Sequence, residues 1–304
     1  MKCPLLSRCL LVILIQSYVE LSWSQTATAP VDPSGQGTLS FVHTPTKLPF
    51  HLYWGYLVVV EGSIGNVQKL NFLVDTGAYP SIVDQRLADK LGLAELAEQP
   101  ATVNLSKETV QTRTVVLPSL AVGPIHIASL LVLSQDLTYI QRDLGYRIDA
   151  IVGLDVLGKS SFTIDYKTKE MLFGATEHFT FSAPFETDTP IVTVQIESQQ
   201  RQFRVVVDTG SPNLMLFRSR LPDAIGFQQL GTEIAMDAGG KFQRQKVRIP
   251  EVYLGGENIG SQTAFVIDDS KDDGNDFDGV LGAPGAQFWR IAFDFKHRKF
   301  CWDR

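Results

Sequence analysis

Apolar positions along this chain fall in short runs rather than in helix-spaced stripes. "YLVVVEG" (Tyr56–Gly62), "FLVD" (Phe72–Asp75), "SIVD" (Ser81–Asp84) and "TRTVVLP" (Thr112–Pro118) are rich in β-branched and aromatic residues. Each is closed by Gly, Pro or a polar residue, which is the pattern of short strands. One stretch has a different period. In "VDQRLADKLGL" (Val83–Leu93), Val83, Leu87 and Leu91 share one helical face and Gly92 stands where a helix can end. The pattern predicts an all-β chain with an occasional short helix.

The same order of features then occurs again. "FRVVVDTGSPNLMLF" (Phe203–Phe217) repeats the apolar run, the Asp-Thr-Gly and the second apolar run of "FLVDTGAYPSIVD" (Phe72–Asp84). "VRIPEVYLG" (Val247–Gly255) matches "VVLPSLAVG" (Val115–Gly123). "DGVLGAPGAQFWRIAFDFKHRKFCW" (Asp278–Trp302) matches "DAIVGLDVLGKSSFTIDYKTKEMLF" (Asp149–Phe173), pairing Gly153 with Gly282 and Asp165 with Asp294. An ordered series of matches is the mark of a duplicated unit. The second copy carries "RSRLPDAIGF" where the first has its helix, so Pro222 shortens or breaks that helix. A linker at "SAPFETDTP" (Ser182–Pro190) places the two lobes at 46–181 and 185–304.

A carboxylate at the end of an apolar strand is costly unless it is paired, hydrogen-bonded or functional. A single Asp-Thr-Gly is an ordinary turn. Two of them, at equivalent places in a duplicated chain, are something else. Halves paired about an approximate twofold axis would bring Asp75 and Asp208 face to face. Two adjacent carboxylates cannot both ionise cheaply, so they share one proton. Such a pair can hold a water, deprotonate it with the ionised partner and polarise a carbonyl with the protonated one. That chemistry calls for no cofactor and no metal. Gly77 and Gly210 would let the backbone turn sharply, and the Thr76 and Thr209 hydroxyls could lock the loops together.

Composition narrows the setting. The 304 residues carry a formal charge of -6, with 27 basic and 33 acidic side chains and no long basic run, which argues against a nucleic-acid partner. Lys2 and Arg8 precede the apolar "LLVILI" and then the small residues of "SWSQTATA", so residues 1–24 read as a secretory signal. The run falls short of the roughly 20 residues that a membrane span needs. Residues 25–45, rich in Pro, Gly, Ser and Thr, read as a flexible leader. Loss of Cys3 and Cys9 with the signal leaves Cys301 alone, so no internal disulfide is expected. The expected product is a monomer, secreted or periplasmic, with no stable membrane insertion.

These two loops, each answered by an apolar-apolar-Gly segment ("IVG" at 151–153, "VLG" at 280–282), resemble those of the aspartic proteases. Each half resembles a retropepsin-like domain, and the fused pair resembles the bilobal pepsin type over roughly residues 50–304. The resemblance implies a catalytic pair Asp75 and Asp208, an interlocking grip by Thr76 and Thr209, and tight turns at Gly77 and Gly210. It implies an endopeptidase acting on peptides or proteins. Segments ending near Phe173 and Trp302 resemble each lobe's closing strand. Ala78 follows the first motif, as in retroviral enzymes, and Ser211 the second, as in pepsin. The Ser211 hydroxyl is expected to donate to Asp208, making it the readier of the two to ionise. "APGAQ" replaces "LDVLG" after the second segment, which disfavours a helix there. "AMDAGGKFQ" (Ala235–Gln243) and its counterpart "NLSKETVQ" (Asn104–Gln111) are the candidate flaps.

Other chemistries lack their signatures. The chain has no His-Glu-x-x-His and no Gly-x-Ser-x-Gly. Cys301, His126 and His297 read as packing, strand or turn residues. The acidic loop "DDSKDDGNDFDG" (Asp268–Gly279) does not follow the spacing of a calcium loop, and Asp278 belongs to the repeat. The rival from another class is a secreted binding protein that kept the fold and lost turnover. Retention of both aspartates favours the enzyme.

Overall fold

The computed structural model describes residues 39–41, 45–102, 109–174, 176, 178–187, 191–221, 226–237, 240–269 and 276–304. The expected signal, most of the leader, residue 103, residues 104–108 and 238–239 of the candidate flaps, and 270–275 of the acidic loop lie outside them. The fold is bilobal and all-β, with three short α-helices among the described residues.

Each half is built around a pair of crossing strands. In the first, Val67–Val74 runs parallel to Ala150–Val152. Ile82–Asp84 is antiparallel to that strand and parallel to Leu133–Gln135. The second half repeats this: Arg201–Val207 lies parallel to Gly279–Leu281, while Leu214–Phe217 pairs with both Gly279–Leu281 and Ala264–Ile267. Strands covered on both faces need unbroken apolar sequence. Phe72, Leu73, Val74, Val205, Val206 and Val207 are accordingly all buried.

The halves share a second sheet. Its strands run in the order Thr46–Tyr53, Glu170–Phe173, Phe162–Asp165, Arg290–Asp294, Lys299–Asp303, Phe181–Glu186, all antiparallel. At its centre Phe162 stands opposite Phe293, with stacked rings 4.9 Å apart. Phe300 and Trp302 extend the aromatic packing. The segments ending at Phe173 and Trp302 therefore close the lobes onto each other.

The predicted helix forms at Gln85–Leu91 and ends at Gly92, whose φ of 61° is left-handed. Among the described residues its counterpart shows a 3-10 turn at Arg218–Arg220; Pro222, expected to shorten or break that helix, lies outside them. Leu154–Leu157 is a short helix, whereas the "APGAQ" segment forms only turns. Two expectations need correction. Ser182–Glu186 of the supposed linker belongs to strand Phe181–Glu186, because alternating burial lets Ala183 and Phe185 close the shared sheet. Leu39–Phe41 of the supposed flexible leader pairs with Ile125–Ile127, completing an open strand edge. The helix Thr138–Leu144 was not foreseen; buried Ile140 and the left-handed Gly145 were its signals.

Candidate active site

Asp75 and Asp208 end two equivalent strands, and each is held by the neighbouring crossing strand. The Asp75 N–H donates to the Val152 carbonyl at 3.0 Å and the Asp208 N–H to the Leu281 carbonyl at 3.1 Å. The loops then interlock. The Thr76 N–H donates to Thr209 Oγ1 and the Thr209 N–H to Thr76 Oγ1, both at 3.1 Å. The two hydroxyls donate onward, Thr76 to the Val207 carbonyl at 2.7 Å and Thr209 to the Val74 carbonyl at 3.0 Å. Each threonine thus satisfies backbone groups of the opposite half, in a site with no exposure.

This lock brings the two carboxyl groups within hydrogen-bonding reach of each other. Gly77 N–H donates to Asp75 Oδ1 at 2.9 Å and Gly210 N–H to Asp208 Oδ1 at 2.6 Å. Among the described residues, no donor reaches Asp75 Oδ2 or Asp208 Oδ2. Two buried acceptors with no donor between them are best satisfied by one proton held in common. Burial, followed by the charge of Asp208, holds the Asp75 carboxyl well above the ordinary range. Burial likewise pushes Asp208 up to about 6, opposed by the hydrogen bond from Asp75 and by the Gly210 and Ser211 N–H groups. The pair titrates as a unit.

The expected tight turns form, with the Ala78 N–H donating to the Asp75 carbonyl at 3.3 Å and the Ser211 N–H to the Asp208 carbonyl at 3.4 Å, and the glycines in them serve a further purpose. Neither has a positive φ. A Cβ on Gly77 would lie 2.7 Å from Asp208 Cγ, and one on Gly210 would lie 2.8 Å from Asp75 Oδ2. Each loop's glycine makes room for the other loop's carboxylate. Ser211 also departs from expectation. Its hydroxyl donates to the Asn213 carbonyl at 3.1 Å, turning away from the carboxylate it was expected to charge. Only its N–H supports Asp208, as the Ala78 N–H supports Asp75.

Two supporting features were not read from the sequence. The Ser81 N–H and hydroxyl both donate to Asp155, and Ser81 Oγ accepts the Gly153 N–H, tying the first loop to the short helix. The acid directly after "IVGL" was the available signal. Tyr166, in the turn after strand Phe162–Asp165, has its phenol pKa raised by burial and by the Asp208 charge. The repeat's own acids are structural. Asp149 accepts the Asn71 N–H and Asp278 the Arg204 N–H, at 2.9 and 2.8 Å. His297 pairs with Asp294 in a turn.

Comparison with known families accords with this geometry. An aspartyl protease family model matches twice, at residues 60–156 and 192–284, taking in more than half of the chain. The chain belongs to the aspartyl protease family, in a tandem retropepsin-like arrangement with one Asp-Thr-Gly loop in each matched segment. A comparison with curated proteins finds no match.

Proposed function

We propose that this chain is a secreted endopeptidase in which Asp75 and Asp208 activate one water between them. The observation that carries the reading is the meeting of two buried carboxyl groups, each with an Oδ2 that no donor among the described residues reaches, at the lock between equivalent loops. With the shared proton on Asp75, ionised Asp208 takes a proton from water as its oxygen attacks the peptide carbonyl. Asp75 gives its proton to the carbonyl oxygen, forming a neutral gem-diol. Collapse returns one proton to the pair and passes another to the departing amine. The basic-then-apolar segment at 1–24 supports export.

A peptide-mixture digest across pH tests the proposal. The wild type should cleave, with its acid limb near the Asp208 value of about 6. Asp75→Asn and Asp208→Asn should each remove nearly all turnover, and the double variant should be little worse, as for groups acting as a unit. Near wild-type cleavage by purified Asp208→Asn would sink the shared-pair mechanism. A folded wild type that cleaves nothing at any pH would leave the binding-protein reading in its place.

A further inference from the structure

Arg244 lies on strand Gly240–Leu254 of the second half's long hairpin and is only 4% exposed. Its guanidinium stacks over Phe265, 3.5 Å from the ring centroid. Nη2 donates to Glu233 at 3.3 Å, while Nε and Nη1 meet no acceptor among the described residues. Buried guanidinium donors without acceptors are costly, so an arriving carboxylate that accepted from them would relieve that cost.

The charges around it do not balance. Glu233 is the carboxylate facing Arg244, and it also receives the Lys246 ammonium at 2.7 Å. Two cations share one anion, leaving an excess positive charge. The Glu233 and Lys246 side chains are 38% and 35% exposed, which opens the cluster to solvent. The cluster also faces the other half, because Tyr56 lies near enough to act electrostatically on Arg244. Tyr56 leads into the strand whose Val58 stands opposite Val74, the residue before Asp75. A buried cation with spare donors therefore sits where the second hairpin meets the half carrying Asp75.

We infer that Arg244 is a specificity-determining residue that receives a carboxylate of the peptide substrate. This rests on the proposed peptidase reading. The carboxylate can come from a Glu or Asp side chain or from a free C-terminus, and both present the same acceptor to the guanidinium.

Matched peptides differing by Glu against Gln at each position, and by free acid against amide at the C-terminus, separate these sources. At about pH 6.5 the peptide carboxylates are ionised. The wild type should favour one carboxylate-bearing peptide by about tenfold in kcat/KM, since a site built to pair with a group rejects the analogue lacking it. Arg244→Gln should bring that ratio to within about twofold, while Arg244→Lys should keep part of it. The ratio within one variant does not depend on how much of it is folded. A wild type that cleaves without preference, or an Arg244→Gln enzyme that keeps the preference, overturns the inference alone. A wild type that cleaves no peptide overturns the peptidase reading and this inference with it.

Discussion

Asp208 is a carboxylate whose folded pKa, about 6, lies above its unfolded value near 3.9. The folded state therefore binds more protons between these values. Stability that is fully present below about pH 4 is lost as pH rises through about 6. Asp75, raised for the same reason of burial, extends the loss to higher pH. Thermal unfolding followed from about pH 4 to pH 7 should show the wild type falling, and Asp208→Asn should flatten that slope. An equal slope in the variant would mean that the pair is not the source. Ser211→Ala makes the complementary case. Its hydroxyl is bonded to the Asn213 carbonyl, so the substitution should cost about 1 kcal/mol of stability. The acid limb of the rate profile should stay where it is; a clear shift would show the hydroxyl reaching Asp208.

Among the elements, the helix Gln85–Leu91 was legible because period, length and terminator agreed. Gly92 donates to the Asp89 carbonyl from a left-handed conformation that an alanine adopts at a cost of about 1 kcal/mol. Gly92→Ala should lower stability by that amount, a fall of about 2–4 °C in melting temperature, while leaving turnover intact, since the Gly92 Cβ would meet no atom within 4 Å. The strand Phe181–Glu186 was less legible. "SAPFETDTP" is dense in turn-forming residues, and the strand half of it exists because the edge of Lys299–Asp303 is there to pair with. Local composition cannot register a partner that lies more than a hundred residues away in sequence.

At the scale of the molecule, the shared sheet couples the lobes alongside the threonine lock. Phe162 of the first half packs on Phe293 of the second, both fully buried. Phe162→Ala should cost about 3–5 kcal/mol, as truncation of buried aromatics does. The loss should appear in one cooperative transition, with calorimetric and spectroscopic midpoints coinciding. Two separated transitions would show that the halves unfold independently and that the sheet joins them only loosely.

The strand-rich class, the duplication and the two Asp-Thr-Gly loops were legible in the amino-acid order alone, because each is written locally and repeated. What those residues touch was set when the chain folded. Folding turned the Ser211 hydroxyl toward Asn213 and gave Gly77 and Gly210 the task of admitting the opposite carboxylate. It also set Arg244 under Glu233 and over Phe265, beside Tyr56 of the other half. The reason is physical. A motif fixes which groups a loop can offer, whereas burial, spare donors and carboxylate contacts arise between segments that meet only when the two halves close on each other.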